Sequence, residues 1–368
     1  MDDSIVGFIG FGLIGGSIAR SLKEINPGNT MIAYNYSGKM GKGLEDALKD
    51  HVLDHVYNQL EEGFPDCDII FLCAPVLKNI TYLKQLKDII KPGCVLTDVG
   101  SVKDNIHAEA SRLGLNRQFI GGHPMAGSEK TGYSSSHAKL LENAYYLLTP
   151  TPETDPVKLT ALYQLVERIG AIPLILDPGE HDDITAAISH VPHIIAAGLV
   201  NLVKDSDGSE EKMRTLAAGG FKDITRIASS SPVMWQNICL TNTSSIQKFL
   251  DRYIAILQKV NFSLSRKDED YLYQFFDEAG EYRNSIPNSS GLMRKVYEIY
   301  LDIIDETGAI ATIATLLATN RINIKNIGII HNREFQEGVL RIEFYEEAAA
   351  AMAVDLLKKY RYTVYERT

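Results

Sequence analysis

Short apolar runs alternate with amphipathic segments through the first half of the chain. Continuous apolar runs of this length are typical of strands buried on both faces of a parallel sheet, and helical spacing separates them. The pattern therefore predicts a doubly wound, parallel α/β sheet with right-handed crossovers. The predicted strands are 4–9, 31–35, 68–75, 94–99, 118–122, 144–149 and 171–176, and the predicted helices lie around 83–90, 104–113 and 158–169.

The first predicted strand runs directly into a glycine-rich turn. Gly10 permits a tight turn, Gly12 lets the backbone approach a pyrophosphate, and Gly15 lets the next helix pack close to the strand. Leu13 and Ile14 begin that helix, whose N-terminal N–H groups suit a diphosphate. A plain turn is the alternative, but the position at a strand-to-helix junction predicts a dinucleotide site.

Asn35 ends the second predicted strand, where the residue type discriminates between nicotinamide cofactors. An acidic residue there would bond the ribose 2′-hydroxyl group of NAD, and a nearby arginine would favour the 2′-phosphate of NADP. The chain has neither, although Lys39 and Lys42 follow closely. We predict NAD because no arginine follows Asn35 directly, with NADP as the alternative.

Polar loops follow two of the predicted strands. Segments 100–103 and 122–130 both lie where a strand ends, as does the glycine turn. In open parallel sheets, ligands bind at the carboxyl ends of the strands. The sequence therefore predicts an active site at this edge of the sheet.

After the last of these strands the chain is helical for roughly 100 residues. Segment 182–197 is apolar on nearly every side, which predicts burial in the core or at a subunit interface. His190 and His193, three positions apart, share one helix face. They are compatible with a metal site, with hydrogen-bonded core histidines, or with substrate contacts.

Two further side chains in the helical region have two interpretations. Asp223 and Arg226 have the spacing of an exposed helical ion pair, and the alternative is a functional role. Trp235, the only tryptophan, is by default a packing residue.

Composition restricts the partners and the compartment. The chain has 368 residues, enough for two or three domains, and its formal net charge of −10 argues against nucleic acid and anionic membranes as partners. Its four cysteines form no Cys-x-x-Cys pair, which favours a reducing compartment without a zinc site. The first strand leaves no room for a signal peptide, and we expect no apolar stretch of the ~20 residues that span a bilayer. These features predict a cytoplasmic protein.

The C-terminal segment forms a separate module by pattern. A linker rich in polar and helix-breaking residues, 286–296, precedes it. The predicted order is strand 297–304, helix 309–319, strands 323–331 and 339–344, helix 346–360 and strand 363–366. This βαββαβ order predicts a ferredoxin-like domain.

Five motifs in this order resemble the prephenate and arogenate dehydrogenase family. The resemblance covers residues 4 to about 285 and implies an N-terminal Rossmann domain (1–178) and an all-helical domain (179–285) that forms most of a homodimer interface. It implies oxidative decarboxylation of prephenate to 4-hydroxyphenylpyruvate with release of carbon dioxide and NADH; arogenate is the alternative substrate. The family's acidic residue after the second strand is Asn35 here. The motifs are 12–17, 98–103, 121–129, 189–193 and 220–226.

The resemblance also implies the residues that carry out the chemistry. As hydride leaves the ring carbon that bears the hydroxyl group, the hydroxyl proton needs an acceptor. His123 matches the family's catalytic histidine, and a neutral imidazole can accept a proton at physiological pH. Ser101 matches a serine that bonds the same hydroxyl group or the histidine, and it lies within the cofactor site as well.

The implied substrate-binding residues come from the helical region and one loop. Arg226 matches the arginine that binds a substrate carboxylate, a task suited to its rigid fork, and His193 matches a substrate-contacting histidine. Asp223 would orient neighbouring positive groups, and Glu129 would organise or gate the site. His190 completes this predicted set, which contains no metal.

The C-terminal module resembles ACT domains, which bind amino acids between paired modules. The resemblance rests on the turn from Asp305 to Gly308 and on Asn323 after the first helix. In an enzyme of tyrosine synthesis this implies feedback regulation by tyrosine; a dimerisation module without a ligand is the alternative.

Two other classes of protein share parts of this pattern. A related hydroxyacid dehydrogenase would have the first two domains, but it gives no reason for the 189–193 and 220–226 motifs. A non-catalytic nucleotide sensor with an amino-acid module is the other alternative. Turnover of prephenate, without turnover of simple 3-hydroxyacids, distinguishes the prediction from both.

Overall fold

The computed structural model describes residues 3–127, 130–286, 297–303, 307–330 and 338–366. The chain divides into two units, Met1–Gly291 and Leu292–Thr368. The first unit contains an α/β domain followed by helices, and the second is an α/β module with its own core.

An eight-stranded sheet organises the α/β domain. The strand order is β3-β2-β1-β4-β5-β6-β7-β8, so the chain reverses direction across the sheet between β1 and β4. This switch point is where open α/β sheets bind ligands. The strands are β1 (Ile5–Ile9), β2 (Thr30–Tyr34), β3 (His55–Tyr57), β4 (Ile69–Leu72), β5 (Val95–Asp98), β6 (Phe119–Pro124), β7 (Tyr145–Thr149) and β8 (Ile172–Ile175).

Helices cover both faces of the sheet, as the continuous apolar strands require. Successive residues of β1 point to opposite faces of the sheet. Phe8 therefore joins one core cluster with Ile18 of the first helix, and Ile9 joins the other with Leu83. The α-helices that the structure describes in this domain are α1 (Leu13–Ile25), α2 (Lys42–Lys49), α3 (Val76–Leu86), α4 (Asp104–Arg112) and α5 (Pro156–Arg168).

The structure differs from the prediction at two strands and one helix of this domain. The short edge strand β3 was missed because three residues carry too little pattern, and α3 begins seven residues before the predicted helix. The prediction of an all-parallel sheet is wrong at one place: β7 pairs antiparallel with β6, in a register that joins Pro124 to Tyr146. Among its described residues, the connection 125–144 contains only two short 3₁₀ helices. Because β7 is antiparallel to β6, this connection starts and ends at the same end of the two strands and needs no crossover.

The second part of this unit is helical, and it contains no strand among the described residues 178–286. A π-helical turn, Ala186–His190, joins α6 to α7, because Pro192 cannot donate a backbone hydrogen bond to the preceding turn. The helices are α6 (Pro178–Thr185), α7 (Val191–Ser206), α8 (Lys212–Leu216), α9 (Gly219–Thr225), α10 (Pro232–Thr241), α11 (Thr243–Arg266) and α12 (Glu269–Ser285).

One helical run contradicts the expectation about apolar length. Pro178–Ser206 is continuous for 29 residues and is long and apolar enough, by length and composition alone, to cross a membrane. Interfacial and core helices of soluble proteins have the same property. The described residues bury only 22% of its most apolar 18-residue stretch, so much of this apolar surface is exposed in the part of the chain that the structure describes.

The C-terminal unit has the predicted βαββαβ element order. Its four strands form an antiparallel sheet in the order β10-β11-β9-β12, packed on two helices around Leu301, Ile313 and Leu357. The predicted turn residue Asp305 and most of the predicted linker lie outside the described residues. The elements are β9 (Tyr297–Ile303), α13 (Ala309–Thr319), β10 (Ile324–Ile330), β11 (Gly338–Phe344), α14 (Glu347–Lys359) and β12 (Val364–Glu366).

Candidate active site

The glycine turn after β1 has the geometry that a diphosphate requires. Gly10 has φ of +92°, and a Cβ atom there would lie 2.6 Å from the backbone nitrogen of Ala74. A Cβ atom at Gly15 would lie 2.7 Å from the carbonyl oxygen of Gly10, so only glycine lets α1 pack this closely. Apart from the two chain neighbours of Gly12, no described residue has an atom within 4 Å of a Cβ built there, and no described side chain caps α1. These residues therefore fit a dinucleotide at the N-terminus of α1.

Asn35 follows β2 and is almost fully buried. Its Nδ2 donates a hydrogen bond to Oδ1 of Asn58 at 2.7 Å, and the Ser37 hydroxyl group donates to its Oδ1 at 3.2 Å. Asn58, which was not among the predicted site residues, thus orients the side-chain amide of Asn35. Because this amide is uncharged, it would hold a ribose hydroxyl group by hydrogen bonding alone.

Lys103 and Asp98 form a buried ion pair next to β6. Nζ of Lys103 is 2.5 Å from Oδ2 of Asp98, and both side chains are fully buried. The same carboxylate accepts backbone hydrogen bonds from Gly100 at 2.8 Å and from Gly122 at 3.2 Å. The pair therefore connects the loop after β5 to the strand that carries the predicted catalytic histidine.

His123 lies on β6 and contacts the helical region through α6. Its Nδ1 is 2.9 Å from Nε2 of His181, and Nδ1 of His181 is 2.8 Å from Oδ1 of Asp182. The Asp182 carboxylate also accepts the backbone N–H groups of Lys103 at 2.8 Å and Asp104 at 2.9 Å. Both His181 and Asp182 are buried. A continuous polar chain thus links the sheet, α6 and the N-terminus of α4.

Burial keeps these histidines neutral. It lowers the pKa of His123 well below its ordinary value, and the nearby His181, Lys103 and His190 lower that pKa further. It lowers the pKa of His181 to about 2. A neutral imidazole at position 123 can act as a proton acceptor at physiological pH.

Sequence reasoning missed His181 and Asp182 as site residues. Four ionisable residues follow one another at 180–183, at the start of an otherwise apolar helical segment. Such a run is typical of a solvated helix start, and the sequence does not show that only His181 and Asp182 are fully buried against partners elsewhere in the fold.

His190 is a hydrogen-bonded core histidine in this structure. Its Nδ1 is 3.1 Å from Nδ2 of Asn242, and burial lowers its pKa to about 4. Its ring also meets the Trp235 ring edge-on at 6.0 Å between centroids. Within the described residues, no group of three or more His, Cys, Asp or Glu side chains is arranged to hold a metal ion.

His193 lies one turn further along α7, against a cleft of about 550 Å³. Its ring stacks on Trp235 with 3.7 Å between centroids, and its Nδ1 donates to the carbonyl oxygen of Ser189 at 2.9 Å. Burial lowers the pKa of His193, and the positive charge of Arg226 contributes to the shift. Arg226 and His193 are therefore close enough to interact electrostatically. Trp235 also lines this cleft.

The other predicted site residues differ in how far the structure describes them. Ser101 is partly buried in the loop after β5, two positions before Lys103. Asp223 lies exposed on α9, three positions before Arg226. Glu129 lies outside the described residues. The roles assigned to these three side chains stay predictions.

Comparison with known proteins places these features in one family. The model of the prephenate dehydrogenase nucleotide-binding domain matches residues 18–174, and that of the prephenate dehydrogenase dimerization domain matches residues 177–278. Prephenate dehydrogenase of Bacillus subtilis is 38% identical over 350 residues, which are 94% of this chain and 93% of that protein.

Solved structures agree with this assignment. Prephenate dehydrogenase of Aquifex aeolicus, in complex with hydroxyphenyl propionate and NAD⁺, is 29% identical and superposes with a TM-score of 0.73 over 78% of this chain and 99% of that one. Synechocystis arogenate dehydrogenase is 30% identical, with a TM-score of 0.67 over 76% of this chain and 99% of that one. The glycine turn, the histidine on β6 and these matches together show that the chain belongs to the prephenate dehydrogenase family of NAD-dependent oxidoreductases.

Proposed function

We propose that the chain catalyses the NAD-dependent oxidative decarboxylation of prephenate to 4-hydroxyphenylpyruvate. The observation that carries this proposal is the position of His123, a neutral imidazole on β6 whose Nδ1 is bonded to His181. Its other ring nitrogen, Nε2, is then the one that meets the substrate. Membership of this family argues against the two alternative hypotheses from the sequence, a related hydroxyacid dehydrogenase and a non-catalytic nucleotide sensor.

The reaction needs a proton acceptor, an anion-binding group and a cofactor. NAD, when bound at the glycine turn, supplies the acceptor for the hydride from the ring carbon that bears the hydroxyl group. His123 accepts the hydroxyl proton as that oxygen gains carbonyl character, with Ser101 bonding the same oxygen. The bond to the ring carboxylate then breaks and carbon dioxide leaves, while the electron pair of that bond completes the aromatic ring and turns the carbonyl into a phenolate. The phenolate oxygen takes back the proton from His123, which gives 4-hydroxyphenylpyruvate and restores the neutral imidazole. Arg226 and His193 hold a substrate carboxylate, with Asp223, Glu129 and His190 arranging these groups.

Arogenate is the second candidate substrate, because Synechocystis arogenate dehydrogenase has a similar structure. The two substrates differ only in a keto or an amino group on the side chain. Steady-state assays that cross prephenate and arogenate with NAD and NADP test the proposal. We expect the highest kcat/KM for prephenate with NAD; a higher value for arogenate would reassign the substrate, and a higher value with NADP would reassign the cofactor.

Replacement of Arg226 by Ala is expected to raise the KM for prephenate far more than the KM for NAD. Loss of a charge-assisted bond to a carboxylate removes roughly 1.5 to 3 kcal/mol of binding, about 10- to 150-fold in KM. Arg214→Ala is the matched control, because Arg214 pairs with Glu211 on the surface of α8. An unchanged prephenate KM in the Arg226 variant, measured by steady-state kinetics, contradicts the assignment.

We also propose the domain organisation and a homodimer. The nucleotide-binding domain is 1–178, the helical domain 179–285, the linker 286–296 and the regulatory domain 297–368. The helical domain exposes many large apolar side chains, which soluble monomers rarely do, and this supports dimerisation through it. They include Ile188, Leu202, Leu216, Ile224, Val233, Leu240, Phe262, Tyr273 and Phe276. A dimer that buries Pro178–Ser206 also supports a cytoplasmic location.

Tyrosine inhibition is expected to require the C-terminal domain, which we propose to be an ACT domain. Gly308, with φ of +92°, immediately precedes α13, and no described side chain caps that helix. Asn323, which follows α13 in the sequence, is exposed. The N–H groups at the start of α13 suit an amino-acid carboxylate. Asp305, which the sequence analysis assigned to the same site, lies outside the described residues. A chain that ends near residue 290, at the boundary between the two units, should lose inhibition while it keeps turnover.

The competing idea is that tyrosine binds only in the catalytic pocket. Inhibition of equal potency in the truncated chain would establish that idea and would show that the C-terminal domain is not the sensor. If inhibition acts on affinity in the full chain, prephenate must weaken tyrosine binding by the same factor by which tyrosine weakens prephenate binding. Calorimetry on the full-length protein measures both factors.

A further inference from the structure

The polar chain from His123 to Asp182 determines which ring nitrogens carry protons. Oδ1 of Asp182 accepts the N–H group of Lys103, and its Oδ2 accepts that of Asp104. Both bonds favour the ionised carboxylate, although burial raises the pKa of Asp182. An ionised carboxylate can only accept, so His181 must donate to it from Nδ1.

The proton on His181 also determines the tautomer of His123. His181 is neutral, because burial lowers its pKa to about 2, and a neutral imidazole has one proton. With that proton on Nδ1, Nε2 of His181 is an acceptor. The bond of 2.9 Å to His123 therefore requires His123 to donate from its own Nδ1. The lone pair of His123 is then on Nε2.

We propose that His181 and Asp182 are positioning residues that hold His123 as the Nδ1–H tautomer, with its Nε2 lone pair directed to the substrate hydroxyl group. This inference rests on His123 as the base of the proposed function. Once His123 accepts a proton, both its nitrogens carry hydrogen, and the bond to His181 persists while the Asp182 carboxylate offsets the positive charge.

The arrangement also joins the two domains of the first unit at the catalytic histidine. Asp182 and His181 lie on α6 of the helical domain, whereas Lys103, Asp104 and His123 belong to the nucleotide-binding domain. The charged and titratable groups that act on His123 are His181, Lys103 and His190. The orientation of His123 thus depends on the contact of α6 with the sheet.

The first test is the tautomer of His123 in the intact enzyme. Nitrogen-15 NMR of the full chain with labelled histidine rings distinguishes Nδ1–H from Nε2–H, and loss of one signal in His123→Asn assigns the resonance. We expect the Nδ1–H form at pH 7.5. An Nε2–H form in the unmodified protein overturns the proposal without any variant of the positioning residues.

The second test replaces the intermediate histidine. His181→Leu removes the acceptor, and we expect kcat to fall by about 10²-fold, with the KM for NAD unchanged and the His123 signal shifted toward Nε2–H. His181→Gln retains an acceptor oxygen at the end of a side chain of similar reach. We expect it to recover most of the lost turnover and to keep the Nδ1–H form.

A matched control separates this role from general loss of a buried histidine. His107 is also buried, with its Nε2 bonded to the Thr149 hydroxyl group at 2.9 Å and outside the chain to His123. We expect His107→Leu to retain kcat within about threefold and to leave the His123 tautomer unchanged. Unchanged kcat in His181→Leu, while His123→Asn is inactive, rejects the positioning role but not the function. Full turnover in His123→Asn rejects the proposed base itself.

Discussion

Replacement of His123 by Asn is expected to lower turnover about 10²- to 10⁴-fold while cofactor binding is preserved. Asparagine keeps a polar side chain on β6 but offers no group that accepts a proton at physiological pH. The glycine turn belongs to a different strand and is unaffected. Steady-state kcat with prephenate and the Kd for NADH, measured by fluorescence, test both parts of this expectation.

His51→Asn is the control for the loss of an imidazole group. His51 is exposed, and its φ of +56° is a conformation that asparagine adopts readily, so turnover should stay within a few-fold of the parent. The decisive contrary result involves His190, which is buried against Asn242. If His123→Asn retains turnover within a few-fold and His190→Asn abolishes it, the catalytic role belongs to His190.

Replacement of Lys103 by Met is expected to lower the free energy of unfolding by about 3 to 5 kcal/mol at pH 7. Burial raises the pKa of Asp98 and lowers that of Lys103, and their mutual contact opposes both shifts. Removal of the ammonium group leaves the Asp98 carboxylate fully buried with only the N–H groups of Gly100 and Gly122 as partners. Urea unfolding followed by circular dichroism measures the change.

Lys91→Met is the matched control for this stability prediction. Lys91 also pairs with an aspartate, Asp68, at 2.7 Å, but both side chains are about 40% exposed. Solvent screening limits such a pair to about 1 kcal/mol or less. Equal losses of stability in the Lys103 and Lys91 variants would mean that the buried pair contributes no more than a surface one.

The sequence by itself determined the elements that depend on local patterns. An apolar run next to a glycine turn specifies β1, the turn and α1 within 25 residues, and the βαββαβ order of the C-terminal unit follows from short periodic segments. His123, Arg226 and His193 were also identified as candidates from motifs that are contiguous in the chain. Each of these motifs is a contiguous segment, so it can be recognised without knowing how the chain folds.

Only the tertiary structure decided the direction of β7 and the partners of His123. The apolar pattern of β7 is the same for a parallel and an antiparallel strand, and the path of the connection before it determines the direction. His123 and His181 are 58 positions apart, and their contact depends on how α6 packs against the sheet. A hydrogen bond at this separation leaves no periodic signal in the sequence. The positions of the protons on the two rings depend on Asp182 and on the backbone N–H groups of Lys103 and Asp104, which only the fold brings together.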